Sequence, residues 1–301
     1  MNKIVNILKP TGMTSHDVVG RVRKILNIKK VGHTGTLDPD ASGVLPICIG
    51  KATKVSELIL NKDKSYICEL TLGITTDTYD SSGEIVERSE VKDINIEKLE
   101  QAFDTQRGEI KQLPPMYSAL KVNGKRMCDL VRAGRAEEIT LKYRDVNIKE
   151  LNILSFKENK VMFYVKCSKG TYVRSICYDI GKELGCGGHM SFLLRTSSGK
   201  FNIDNAITLD QLEELYKENM LDEHLYDIDY VLSNFNSIHI NPLAVKSYVN
   251  GAIVYNKGFL KGDFKETDEF VRVYSEGKFL GVGKFLKVDG TLCLKSDKLF
   301  V

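Results

Sequence analysis

The chain has 301 residues, 42% hydrophobic and 28% charged, with a net charge of only +3. That length suits a catalytic domain with a sizeable core plus one smaller appended domain, and no segment approaches the ~18 uninterrupted apolar residues of a membrane span. Seven scattered cysteines form no C-x-x-C pair and five histidines form no H-E-x-x-H, so reduced, buried thiols and no metal set are expected.

The start, MNKIVNILKPTG, is interrupted by Asn6, Lys9 and Pro10 and lacks the apolar run of a secretory signal, so a cytoplasmic location is expected. Ile4 to Leu8 reads as a short strand, and Lys9-Pro10-Thr11-Gly12 turns the chain. Thr14 and Asp17 stand three apart before Val18, Val19, Val22, Ile25 and Leu26, the start of a capped amphipathic helix that ends near Asn27. The loop GHTGTLDPDASG, residues 32 to 43, then crowds His33, Thr34, Thr36, Asp38, Asp40 and Ser42 among three glycines and a proline. Such density suits a binding or catalytic loop. Asp38-Pro39 also reads as an ordinary turn. A phosphate-cradling P-loop is excluded, because its lysine and Ser/Thr terminus are missing.

KSYICELTLG alternates with Tyr66, Cys68, Leu70 and Leu72 on one face, a strand. A polar loop and a further strand follow in ITTDTYDSSGEIV, and then a helix from about Asn95 to Phe103. Pro114-Pro115 precludes helix, extended chain continues to Val122, and Gly124 precedes a helix that runs to Arg132. Residues 143–156 and 160–168 alternate as neighbouring strands, and a helix begins where the second ends, with Val173, Ile176, Cys177, Ile180 and Leu184 at helical spacing. Tyr172 and Arg174 therefore stand at a strand's end or a helix's first turn. A partly desolvated arginine there requires a carboxylate or a bound anion, and would hold such a carboxylate ionised. Residues 209–231 read as a helix and linker, and residues 238–301, including VKSYVNGAIV, as short strands of a small β-barrel or half-barrel.

Charge is distributed unevenly. Residues 1–60 carry nine Lys/Arg against four Asp/Glu, and further basic clusters stand at Lys121, Lys125, Arg126, Arg132 and Arg135. A basic surface with tyrosines fits RNA, as it also fits a solvated face with core rings. Composition and spacing thus define a cytoplasmic α+β protein with an appended β module, without naming a reaction.

Six blocks go further: NILKPTGMTS; GHTGTLDPDASG with LPICIG; YICELTLGITTDTYDSSG; PPMYSALKVNGKR; CSKGTYVRSI; and GHMSFLLRT. Their succession over residues 4–200 resembles the bacterial tRNA pseudouridine synthases that modify uridine 55 in the T arm. The resemblance implies a catalytic domain over residues 1–230, built on a mixed, largely antiparallel sheet with flanking helices, and a small PUA-like β domain over 238–301. It implies Asp38 as the essential carboxylate, nucleophile or base, ion-paired with Arg174, and Tyr66 packed on the uracil and helping to remove a ribose proton. Tyr172 and Leu193 would line the pocket, His33 would fill the space of the flipped base, and Lys9 would support the site. No cofactor is implied, because the reaction exchanges no electron or group with solvent. The implied partner is the tRNA T-arm stem-loop, met by a monomer without guide RNA or obligate protein partner. Lys278 or Lys284 would touch the acceptor side. A noncatalytic RNA-folding protein and the guide-dependent archaeal and eukaryotic synthase are the competing readings.

Overall fold

Strand β1 (Ile4–Lys9) is buried along nearly its whole length. It leads into helix α1 (Ser15–Leu26), whose N-terminus carries the expected box: the Thr14 hydroxyl accepts from Asp17 N at 3.0 Å, and the Asp17 carboxylate accepts from Thr14 N at 2.8 Å. Asn27, in the left-handed conformation at φ 53°, ends it. The computed structural model describes residues 1–301.

Short strand β2 (Val31–His33) leads through the polar loop into β3 (Ser42–Ile49), after which come a short helix α2 (Ser56–Leu60) and β4 (Lys64–Leu72). The hairpin β5 (Ile74–Thr76) and β6 (Ile85–Arg88) encloses a polar loop, residues 77–84, and α3 (Ile96–Asp104) and β7 (Gly108–Gln112) follow. An irregular insertion holds the hairpin β8 (Lys121–Val122) and β9 (Lys125–Arg126) with α4 (Met127–Arg132). The chain returns through β10 (Arg144–Lys157) and β11 (Lys160–Cys167), then α5 (Val173–Glu183), β12 (Gly188–Ser198) and β13 (Phe201–Asn202). Helix α6 (Leu209–Lys217), β14 (Leu225–Tyr226) and α7 (Ile228–Val231) complete this part.

These strands form one ten-stranded sheet in the order β14-β1-β3-β12-β4-β11-β10-β7, with β2 on β3 and β13 on β12. All pairs are antiparallel except β3 with β12, so the sheet is mixed and largely antiparallel, with helices against it. One apolar cluster joins β4, β10 and β11 to α3 and α5, and another joins β1 and β3 to α1 and α6. The parallel β3–β12 contact explains one glycine. Gly43 has φ 116°, and a Cβ there would lie 2.2 Å from the Arg195 carbonyl oxygen, so no side chain fits between the strands.

Two central strands, β3 and β12, have no counterpart among the elements read from periodicity. The first is buried on both faces, so its apolar residues do not alternate with polar ones, and Pro46 sits inside it. The second pairs with β4 through two register shifts that break a period of two.

Residues 237–299 build a second sheet from β15 (Ser237–Ile240), β16 (Val254–Tyr255), β17 (Phe259–Gly262), β18 (Val271–Ser275), β19 (Lys278–Val288) and β20 (Thr291–Leu299). Its order is β16-β20-β19-β18-β15-β17, an open curled sheet. The expectation of short strands across VKSYVNGAIV is corrected here, because Pro242–Val249 is a helix, α8. Asn241 caps it through Leu243 N at 2.9 Å and Pro242 stands in its first turn, where a missing N–H costs nothing. Val282 and Phe300 reach from this part into a cluster with Ile4, Val44 and Cys48 of the larger sheet and Val55 just beyond β3. No helix is long and apolar enough to cross a membrane.

Candidate active site

The loop between β2 and β3 is held from three sides. Lys9 is fully buried, and its ammonium donates to the carbonyls of Pro10, Pro39 and Ala41 at 2.7, 3.0 and 2.7 Å. Ser15 brackets Leu37, donating to its carbonyl at 3.1 Å and accepting from its N–H at 2.9 Å. Ala41 N donates to the Asp38 carbonyl at 3.1 Å, closing the Asp-Pro turn. Leu37 and Ala41 face inward, into one buried cluster with Tyr66 and Leu193. The side chain between them, Asp38, stays 37% exposed.

Arg174 is the opposite case, a cation left 7% exposed in the first turn of α5. Its Nε lies 3.1 Å from Asp38 Oδ2 and its Nη2 donates to Asp38 Oδ1 at 3.3 Å, a two-point contact. Nη1 lies 3.2 Å from Asp80 Oδ2 and donates to the Thr78 carbonyl at 3.1 Å, while Nη2 also donates to the Tyr117 carbonyl at 3.1 Å. The desolvated arginine thus has two carboxylates rather than one. Burial pushes the Asp38 carboxyl above the usual aspartate range; Arg174 opposes that, and the charges of Asp80 and Asp40 add to it.

The sequence reading missed Asp80. Its block, YICELTLGITTDTYDSSG, was in view, but a polar loop gives no sign of which carboxylate turns inward. The geometry that turns it is local. Tyr79 has a left-handed φ of 63° and its ring stacks on Tyr178 at 4.0 Å. Thr78 and Ser82 hydroxyls donate to Asp80 Oδ1 at 2.7 and 2.6 Å, leaving Oδ2 for Arg174.

Tyr172 is the residue capping α5, and its backbone is clamped by the side chain of Gln112, buried at the end of β7. Gln112 Oε1 accepts from Tyr172 N at 2.8 Å and Nε2 donates to Tyr172 O at 3.1 Å. Gln112 too was missed, since a glutamine before two prolines carries no pattern. Burial raises the half-buried Tyr172 phenol, and a hydrogen bond with Ser118 of the insertion opposes that. Tyr66, on β4, is 8% exposed and burial pushes its phenol up to about 12. His33 ends β2, and its Nδ1 accepts from Gly35 N at 3.3 Å, so a neutral ring carries its proton on Nε2. The structure therefore joins Asp38 to Arg174 directly and gathers Tyr66 and Leu193 with the loop's apolar residues. It places Lys9 beneath the loop as a support, its ammonium directed at the carbonyls of Pro10, Pro39 and Ala41.

The insertion presents Lys121, Lys125, Arg126, Arg132 and Arg135. Arg126 contacts Asp129 at 2.8 Å and Arg135 contacts Glu138, while the other three have no acidic partner. In the second sheet, Lys284 lies 3.6 Å from Asp297 and 4.5 Å over the Phe270 ring, and Lys278 is exposed.

The chain matches known proteins over its whole length. Residues 23–173 match the family model described as TruB family pseudouridylate synthase (N terminal domain), and residues 174–233 match that of the tRNA pseudouridylate synthase B C-terminal domain. The chain is 71% identical over 301 residues, 100% of both chains, to tRNA pseudouridine synthase B of Clostridioides difficile (strain 630). It is 48% identical over 283 residues, 94% of this chain and 93% of the relative, to the protein of the same name from Alkaliphilus oremlandii (strain OhILAs). Among solved structures it resembles a chain of a Cbf5-Nop10-Gar1 complex, with TM-score 0.75, 30% identity, and coverage of 99% of this chain and 85% of that one. A chain of an H/ACA RNP bound to a substrate RNA containing 2′-deoxyuridine gives TM-score 0.74 and 27% identity, with the same coverage.

Proposed function

The chain belongs to the TruB family of pseudouridine synthases and isomerises uridine to pseudouridine in tRNA, and from that premise we propose that its target is uridine 55 of the T arm and that Asp38 carries the reaction. The observation that supports this most directly is the two-point contact between Asp38 and the buried Arg174.

Uracil leaves ribose C1′ at N1, turns over while held, and rejoins through C5. A carboxylate serves by attacking C1′ or by removing the C2′ proton, and both begin from the ionised form. Arg174 favours that form where desolvation disfavours it, and fixes which oxygen faces the sugar. Tyr66 and Leu193, which share one apolar cluster, wall the uracil pocket, Tyr66 packing on the uracil and helping to remove the ribose proton, so that the detached base is retained while water is excluded. Tyr172 lines the same pocket. His33 fills the space left in the RNA loop when the uridine flips out, which stacking alone would oppose by a few kcal/mol.

We take the protein to act as a monomer without guide RNA or protein partner, in keeping with its end-to-end likeness to the bacterial enzymes. The test is to incubate purified protein with unmodified tRNA and map pseudouridine. Wild type is expected to modify position 55, and Asp38→Asn to lose at least ~10³-fold in rate while still binding tRNA. Full activity of that variant would overturn the assignment of Asp38. Capture of tRNA by wild type without isomerisation would instead favour an RNA-folding role.

A further inference from the structure

Arg195 lies on β12 and is 1% exposed, one of the largest fully buried side chains of the protein. Nothing above uses its side chain. It has no carboxylate within ion-pairing distance; its Nε donates to the Val44 carbonyl at 2.7 Å and its Nη2 to the Gly35 carbonyl at 3.2 Å. Burying an uncompensated cation is expensive, and two carbonyls answer only part of the charge. The remaining neighbour is Tyr66. The two residues are direct partners in the β4–β12 register, so their buried side chains share one face of the sheet.

We propose that Arg195 is a positioning residue for Tyr66, donating a hydrogen bond to the phenol oxygen so that the tyrosine O–H turns into the pocket and negative charge on its oxygen is stabilised there. The inference rests on the reading of Tyr66 given above. Direction follows from the donor inventory: a guanidinium has only N–H donors, so the phenol must accept from it and cannot donate back. The hydroxyl meets no other side chain or carbonyl that would take its proton, which leaves the substrate side. Charge acts the same way, since a cation beside the phenol opposes the desolvation that raises it. By also holding Gly35 of the loop and Val44 of β3, Arg195 sets the spacing between the strand that carries Tyr66 and the loop that carries Asp38.

The experiment is a double-mutant cycle read by single-turnover pseudouridine formation at saturating unmodified tRNA, with melting temperature and tRNA affinity measured alongside. R195Q is expected to slow the step roughly 10- to 100-fold with tRNA affinity within about 2-fold of wild type. In the Y66F background the same change is expected to cost no more than about 3-fold, and R195K, which keeps the charge, to recover part of the rate. Equal losses in the two backgrounds, or R195K no faster than R195Q at equal melting temperature, would overturn the proposal. Should R195Q not fold, the cycle is run with R195K, whose loss must likewise vanish with Y66F. Failure of the underlying reading looks different: wild type forms no pseudouridine, or Y66F alone is as fast as wild type.

Discussion

Arg174 has five N–H groups and meets five oxygens: two of Asp38, one of Asp80 and the carbonyls of Thr78 and Tyr117. A lysine in its place would keep the charge and lose the fork that aims the carboxylate. Asp80 adds a cost and a benefit. Its charge helps to raise Asp38, yet it holds the far side of the guanidinium in place. Aim is worth more than a modest relief of repulsion in a site that must hold reacting atoms within a fraction of an ångström. Asp80→Ala is therefore expected to slow single-turnover isomerisation about 10- to 100-fold with little change in tRNA affinity. Asp179, one turn further along α5, shows what burial does without such a partner. Its carboxyl is pushed up by burial to about 6, with only Lys182 opposing. The folded protein thus keeps a proton that the unfolded chain releases from 3.8 upward, so this group's contribution to stability falls as pH rises from 3.8 to about 6 and stays low above. Asp179→Asn is expected to raise the melting temperature by about 2 °C at pH 7.5, a gain that disappears near pH 4 in a thermal-melt series.

Among elements, those with a clean amphipathic period were legible from the residues. Helices α1, α3 and α5 and strands β4, β10 and β11 all present one buried face, and the Thr14–Asp17 box marks where α1 begins. Elements whose environment is uniform were not. Strand β3 is covered on both faces, and α8, in a glycine-rich β region, has apolar residues without a strong helical stripe. Its clearest signal was the cap, Asn241-Pro242, and not the pattern behind it. The β3–β12 contact carries its own test. Gly43→Ala would drive a Cβ into the Arg195 backbone, with no flexible side chain able to move away. A loss of about 3 kcal/mol or more in denaturant unfolding is expected, with the mutant's activity falling through the same displacement of the loop.

Across the molecule, the larger sheet carries the site, the insertion leans on it through Arg174 and Ser118, and the curled sheet docks through Val282 and Phe300. Lys51 and Lys54 add contacts to the carbonyls of Val301 and Leu299 at 2.6 and 3.0 Å. The basic side of the insertion is where charge is available to RNA. Lys121, Lys125 and Arg132 have no acidic partner, while Arg126 and Arg135 are held by exposed carboxylates in pairs worth little against a phosphate. Replacing Lys121, Lys125 and Arg132 together by alanine is expected to weaken tRNA binding. If each meets one phosphate, the slope of log affinity against log salt should become shallower by about 2–3, measured by filter binding across a salt series.

The sequence carried the amphipathic elements that bury one face, and it carried the reaction class through the resemblance of six short blocks to a known family. The residue pattern asked only for a carboxylate or a bound anion beside Arg174, and the family resemblance named Asp38 as its partner. They could not choose among the acids of a polar loop, nor show that Lys9 turns beneath the site or that Arg195 stands against Tyr66. Those are properties of strand order and register. The parallel contact of β3 with β12 brings Gly43 to Arg195, the antiparallel register of β12 with β4 brings Arg195 to Tyr66, and the left-handed turn at Tyr79 points Asp80 inward. A linear pattern records which face of an element is buried. Which side chains meet there is settled when distant segments pack.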